Sequence, residues 1–138
     1  MHNGKRRILL VDDEPSIVKV VGKRLELAGF EVLVAVDGQE ALVKARADHP
    51  DAIVLDVMLP KLSGLEVCAI LKDDQQYSRI PIILFTGKGQ ELIDEHTCRE
   101  CKADAFLSKS RRTSELIEQL EALLGRALPG SSDDGSPA

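Results

Sequence analysis

The stretch that most constrains this chain is AIVLDVMLP, residues 52–60, an apolar run broken by a single acid. Ala52, Ile53, Val54 and Leu55 lead into Asp56. The chain then stays apolar as far as Pro60, and Ser63-Gly64 follows. A short continuous apolar run with turn residues behind it reads as a strand covered on both faces. Here that strand ends on a carboxylate and leads into a turn and a helix. An unpaired carboxylate there is costly, so the fold must bring something to Asp56.

The other elements repeat this pattern. Ile8 to Val11 form an apolar run that ends in Asp12-Asp13, and Pro15 sits where a helix would open. Ile17, Val21, Leu25 and Ala28 recur at helical spacing, and Gly29 is a stop signal. A second strand is expected over residues 30–36. Asp37 with Glu40 makes a capping-box-like start to a helix that turns Ala41, Leu42 and Ala45 inward, and His49-Pro50 closes it. Ser63 and Glu66 form a second capping box, ahead of a stripe of Leu65, Cys68 and Leu71. Residues 72–79 read as a loop. PIILFTG gives a fourth strand ending at Thr86-Gly87, residues 89–101 a weakly amphipathic helix, and ADAFLSK a fifth strand ending at Lys109. Leu116, Ile117, Leu120, Leu123 and Leu124 mark a strong final helix. Residues 126–138 are rich in Pro, Gly, Ser and Asp and are expected to form a disordered tail behind one domain, residues 1–125.

Strands alternating with helices, five of each, imply an α/β fold: a doubly wound parallel sheet with right-handed crossovers. At 138 residues the chain holds one domain with a real core. With 18 basic and 23 acidic residues its net charge is −5, so it lacks the global basic footprint of a nucleic-acid binder. No apolar run reaches the length of a transmembrane helix. The acids at 12–14 cut the first run too short for a signal peptide, so a cytoplasmic location is expected.

In an open α/β sheet, ligands bind beyond the carboxyl ends of the strands, where the winding reverses. Asp12, Asp13, Asp56, Thr86 and Lys109 all fall at that edge. Each alone has a bland reading as a cap or a loop contact, but their coincidence does not. Three neighbouring carboxylates repel one another, and a hard divalent cation with oxygen ligands, Mg2+, relieves this. Lys109 adds a second positive centre. Asp56 then stays ionised and can accept a phosphoryl group as an aspartyl-phosphate, while Mg2+ and Lys109 stabilise the transferring oxygens and the Thr86 hydroxyl bonds one of them after transfer.

LLVDDEP, LDVMLPKLSG, PIILFTG and AFLSK, in this order, resemble the receiver domain of two-component response regulators over residues 7–125. The resemblance implies a flavodoxin-like fold with strand order 2-1-3-4-5. It makes Asp56 the phosphoacceptor, fed by a histidine kinase or phosphotransfer protein. It assigns Asp13, Asp56 and the main-chain carbonyl of Met58 as direct Mg2+ ligands, with Asp12 acting through water. Thr86 and Phe106 become a switch pair and Lys109 the phosphoryl-binding lysine. Output to a downstream protein partner is expected from the face of the fourth helix, fifth strand and fifth helix, without direct nucleic-acid or membrane binding by this domain. The chain departs from the family pattern at Ser110, where Pro is usual, at Arg111-Arg112, and at Gly87, where Ala is commoner.

Two rival function classes remain in view. One is a Mg2+-dependent aspartyl-nucleophile phosphatase, but such enzymes carry a second Asp two residues after the nucleophile, and here that position is Met58. The other is a phosphate-independent protein-binding module. Cys98-Arg99-Glu100-Cys101 is a CxxC with His96 nearby, too few ligands for a structural zinc site. Cys68 reads as core.

Overall fold

The computed structural model describes residues 5–87, 101–109 and 113–127, with the side chains of Thr86, Arg126 and Ala127 excepted. Five strands, β1 (Arg7–Val11), β2 (Glu31–Ala35), β3 (Ala52–Leu55), β4 (Ile82–Thr86) and β5 (Ala105–Ser108), form one parallel sheet in the order β2-β1-β3-β4-β5. Four helices are present among the described residues: α1 (Pro15–Leu27), α2 (Gly38–Asp48), α3 (Gly64–Lys72) and α4 (Thr113–Ala127). This is the expected flavodoxin-like topology. The helix expected over 89–101 falls outside the described residues except at Cys101, which is helical.

The central strands are apolar over residues 8–11, 52–55 and 82–85 because both faces are covered there. On one face Leu9, Val11, Ile53, Leu55 and Leu84 pack with Ala41, Ala45, Val67 and Leu71 of α2 and α3. On the other, Ile8, Leu10, Val54, Ile83 and Phe85 pack with Val21 and Leu25 of α1 and Leu116 and Leu120 of α4. Successive strand residues alternate between the two layers, the period-two rule of a pleated strand acting inside a continuous apolar run.

The helix ends follow the expected chemistry. Pro15 stands at the first turn of α1. Gly29, at φ 101°, takes the left-handed position behind it. Ala28 is an exposed C-cap, not the last member of the buried stripe, because the helix has already ended at Leu27. The Asp37 side chain accepts from Glu40 N, while Glu40 reaches back to Val36 N, one residue beyond the usual box. At α3 the Ser63–Glu66 capping box is complete. The last helix runs to Ala127, taking in the first two residues of the expected tail, and residues 128–138 lie outside the described residues.

Candidate functional site

The sheet register brings the acids together. Val11 pairs with Leu55, so the next residue of each strand, Asp12 and Asp56, leaves the sheet at the same level. The bond from Asp56 N to Val11 O, 3.0 Å, extends the ladder to the acid itself. β1 and β3 are the neighbours between which the winding reverses, the position where such sheets open a crevice. Across β4, Thr86 pairs with Ser108, which puts Lys109 just beyond the same edge.

Carboxylate oxygens of Asp12, Asp13 and Asp56 all lie within 4.8 Å of one another, with Asp12 and Asp56 buried and Asp13 exposed. Lys109 reaches across the sheet edge into this group. Its Nζ donates to Asp12 Oδ2 at 2.7 Å, Glu14 Oε1 at 3.0 Å and Asp56 Oδ2 at 3.1 Å. The second oxygens are held by the main chain: Asp12 Oδ1 accepts from Glu14 N at 2.9 Å, and Asp56 Oδ1 from Met58 N at 3.3 Å. Both inner carboxylates are therefore oriented from two sides.

Electrostatics follow from burial. Desolvation raises the Asp12 carboxyl above its ordinary value, and the nearby Asp56 charge adds to this, more than the Lys109 and Glu14 hydrogen bonds hold it down. Burial alone would lower Lys109, but its bonds to Asp12 and Glu14 and the charge of Asp56 outweigh that and raise it. Lys109 is therefore a fixed cation at any physiological pH.

The site opens to a cavity of about 520 Å³, whose walls include Asp13, Glu14, Asp56, Met58 and Lys109. Met58 is 54% exposed at its mouth. The turn that presents Met58 is braced from below. Gly38 N donates to Pro60 O at 3.3 Å, Lys61 pairs with the α2 N-cap Asp37 at 3.5 Å, and Gly64 N donates to Val57 O at 2.8 Å. Lys61 itself sits at φ 72°, a left-handed conformation that the surrounding contacts must hold.

Of the expected residues, Asp12, Asp13, Asp56, Met58 and Lys109 meet at one site. Phe106 is half-buried in β5, opposite Leu84, against the α2–α3 layer of the core. Thr86 ends β4, but its side chain lies outside the described residues, as does the Lys109–Ser110 linkage. Sequence reasoning missed Glu14. It occupies the α1 N-cap yet makes no capping bond, because its side chain turns to Lys109. It missed Gly64 as well, where an added Cβ would lie 2.0 Å from the Asp56 carbonyl oxygen. The run of three acids at 12–14 was the available sign of the first, and Gly immediately after a Ser N-cap of the second.

A switch-point crevice with two buried aspartates, a third beside them and a lysine just beyond the fifth strand is the arrangement of a receiver domain. The chain belongs to that family: the response regulator receiver domain model matches residues 8–121. It is 44% identical over 122 residues to the alkaline phosphatase synthesis transcriptional regulatory protein PhoP of Bacillus subtilis, covering 88% of this chain and 50% of that protein. It is 39% identical to the DNA-binding dual master transcriptional regulator RpaA of Synechocystis, covering 87% and 49%. The chain thus spans about half the length of the curated relatives it matches. Among solved structures, the Mg2+-BeF complex of TrrA from Thermotoga maritima is 34% identical with a TM-score of 0.76, covering 86% of this chain and 98% of that one. The receiver domain of the sensor histidine kinase PA1611 from Pseudomonas aeruginosa has magnesium coordinated in its active-site cleft. It is 29% identical with a TM-score of 0.80, covering 88% and 99%.

Proposed function

We propose that this domain takes a phosphoryl group onto Asp56 from a phosphohistidine of a histidine kinase or phosphotransfer protein, and signals through the resulting change in its surface. The observation that carries this reading is the Asp56 carboxylate. It is buried, held by Lys109 and Met58 N, and set in the wall of an open cavity beside two further acids. A carboxylate oxygen of Asp56 attacks phosphorus as the donor's P–N bond breaks and the imidazole leaves with the electron pair. Lys109 stands 3.1 Å from the accepting group and supplies positive charge where the phosphoryl oxygens arrive.

The donor set fits a hard divalent cation: three carboxylates whose oxygens lie within 4.8 Å of one another, the main-chain carbonyl of Met58 on the turn after Asp56, and no nitrogen or sulfur ligand among them. Asp13, Asp56 and the Met58 carbonyl would hold Mg2+ directly and Asp12 through water. When bound, the ion offsets carboxylate repulsion and polarises phosphoryl oxygens. Thr86 and Phe106 form the switch in this reading, and a downstream protein reads the result. RpaA, whose name states DNA binding, is matched over 49% of its length, and in this reading the present domain makes no direct nucleic-acid contact. Among the described residues no helix is long and apolar enough to cross a membrane, and cytoplasmic residence suits a kinase-fed acceptor.

The site is read as a phosphoacceptor rather than a phosphatase because position 58 carries an apolar, solvent-facing thioether that moves no proton. Incubation with acetyl phosphate and Mg2+ tests the proposal. One acid-labile phosphoryl group is expected, lost on Asp56→Asn and in EDTA. Labelling that survives the substitution, or multiple turnover of a small phosphoester, overturns it.

A further inference from the structure

The CxxC of the sequence invites a Cys98–Cys101 pairing, but the fold gives Cys101 a different partner. Cys68, in the middle of α3, donates from its Sγ to the Cys101 carbonyl oxygen at 3.3 Å, which sets its thiol against the Cys101 residue. Both are buried in the same apolar cluster, at 0% and 5% exposure, and both are reduced. They stand 33 residues apart in sequence and join α3 to the segment that enters β5.

We propose that Cys68 and Cys101 are a reversible dithiol–disulfide pair, oxidised by hydroperoxides, that ties α3 to the entry of β5. This site is separate from the phosphoacceptor and does not depend on it. Cys101 precedes β5 and so lies near the amino-terminal edge of the sheet, whereas Asp56 and Lys109 lie beyond the carboxyl-terminal edge.

The two thiols differ in access and reactivity, which sets their order. Cys101 lines a hollow of about 640 Å³, larger than the one at Asp56, walled by Ala69, Ile70, Asp73 and Lys102. A small peroxide reaches Cys101 from there. Cys68 is sealed behind it, and burial together with the neighbouring Cys101 pushes its thiol well above the ordinary range. Lys72, one turn on, would favour a Cys68 thiolate, but its ammonium is committed to Asp104 Oδ2 at 2.7 Å, Ile80 O at 2.8 Å and Ser78 O at 3.0 Å. Cys101 is therefore the attacking thiol and Cys68 the resolving one.

The Cys101 sulfur takes one peroxide oxygen, the O–O bond breaks, and the thiol proton leaves with the other oxygen as water. Cys68 then attacks the Cys101 sulfur. The S–O bond breaks, the oxygen leaves as a second water carrying the Cys68 proton, and an S–S bond forms. Two thiols are oxidised and one peroxide is reduced. A reducing compartment would reverse the bond by thiol exchange, as suits a transient cytosolic disulfide.

Trypsin decides between the pairings, because Lys61, Lys72, Lys88, Arg99 and Lys102 put the three cysteines on separate peptides, residues 62–72, 89–99 and 100–102. After hydrogen peroxide, the full chain should fall from three titratable thiols to one without forming a disulfide between chains. Peptides 62–72 and 100–102 should be linked, and dithiothreitol should release them. Cys98→Ser should leave this link intact. In Cys68→Ser, Cys101 should be the position that captures dimedone as a sulfenic acid. A link between 89–99 and 100–102, a disulfide-bonded dimer, or three thiols surviving the oxidant overturns the proposal. So does dimedone captured by Cys68 in Cys101→Ser.

Discussion

Gly64 is the position where one methyl group should do most harm. A Cβ built there lies 2.0 Å from the carbonyl oxygen of Asp56, 2.8 Å from its carbon and 2.9 Å from Val57 Cα. All three are backbone atoms, so no rotamer change relieves the clash. The oxygen must retreat by about 1 Å to reach even the 3.0 Å limit for real Cβ contacts. Forcing extra bulk into packed structure costs about 1–3 kcal/mol, occasionally more. Loosening the Gly64 N to Val57 O bond adds about 1 kcal/mol, while the better helix propensity of alanine returns less than about 1 kcal/mol. We expect Gly64→Ala to lose about 2 kcal/mol or more, which for a domain of this size lowers Tm by on the order of 5–10 °C. Because the displaced atom belongs to Asp56, acetyl phosphate labelling should also slow at temperatures where the variant is fully folded. Gly22→Ala is the control. Its Cβ would meet only Leu10 and Val32 methyls, at 3.9 and 4.0 Å, inside α1. It should gain about 0.5–1 kcal/mol. Paired thermal melts and labelling rates read both variants. A Gly64→Ala protein with wild-type Tm and wild-type labelling refutes the close approach of α3 to the Asp56 backbone.

Two further expectations concern the charges. Lys109→Met leaves Asp12 and Asp56, whose side chains are 2% and 5% exposed, without their shared cation. Denaturant unfolding at neutral pH should show a loss of about 3–5 kcal/mol, and Mg2+ should restore more stability to the variant than it adds to wild type; equal Mg2+ effects refute this. For Asp12→Asn in EDTA, the sign follows from the raised carboxyl. Between its ordinary value of 3.8 and the higher folded value, the native state holds the proton more tightly than the unfolded chain, so wild type loses stability as pH rises through that window. The variant lacks this titration, so its stability relative to wild type should climb with pH and then level off. A flat or falling difference in urea unfolding series refutes the burial argument.

The order of strands was legible because buried parallel strands must be continuous apolar runs, and each of these ended on a polar residue that belonged at the sheet edge. Asp56 stood out for the same reason, as the single acid in an otherwise apolar stretch. Helix boundaries were legible where a side chain caps, as at Asp37 and Ser63. They were less so at the end of α4, which runs on past Gly125 to Ala127. Pairwise distances across the fold were not legible. Glu14 looked like part of an acidic run, and only the reach of Lys109 gives it a partner. Cys101 looked like half of a CxxC because sequence shows neighbours along the chain, whereas Cys68 comes to it through the packing of α3 beside the segment entering β5. Gly64 showed a turn, but its closeness to Asp56 depends on where α3 lands.

The three bonds of Lys109 indicate which contact yields on phosphorylation. An ammonium has three donors, and Asp12, Glu14 and Asp56 hold all of them. Phosphorylation adds about one further negative charge at Asp56 and moves it outward onto phosphoryl oxygens. Lys109 can follow only by releasing a carboxylate. Releasing Asp12 would leave a side chain that is 2% exposed without its cation, a loss of several kcal/mol. Glu14 is 58% exposed, and water replaces the lysine there at about 0–1 kcal/mol. Glu14 is therefore the contact that lets go. Glu14→Gln should change unfolding free energy by less than about 1 kcal/mol and leave Asp56 labelling by acetyl phosphate at or above the wild-type rate. If it instead stops labelling as Asp56→Asn does, Lys109 needs Glu14 to be aimed, and the order of release argued from burial is wrong.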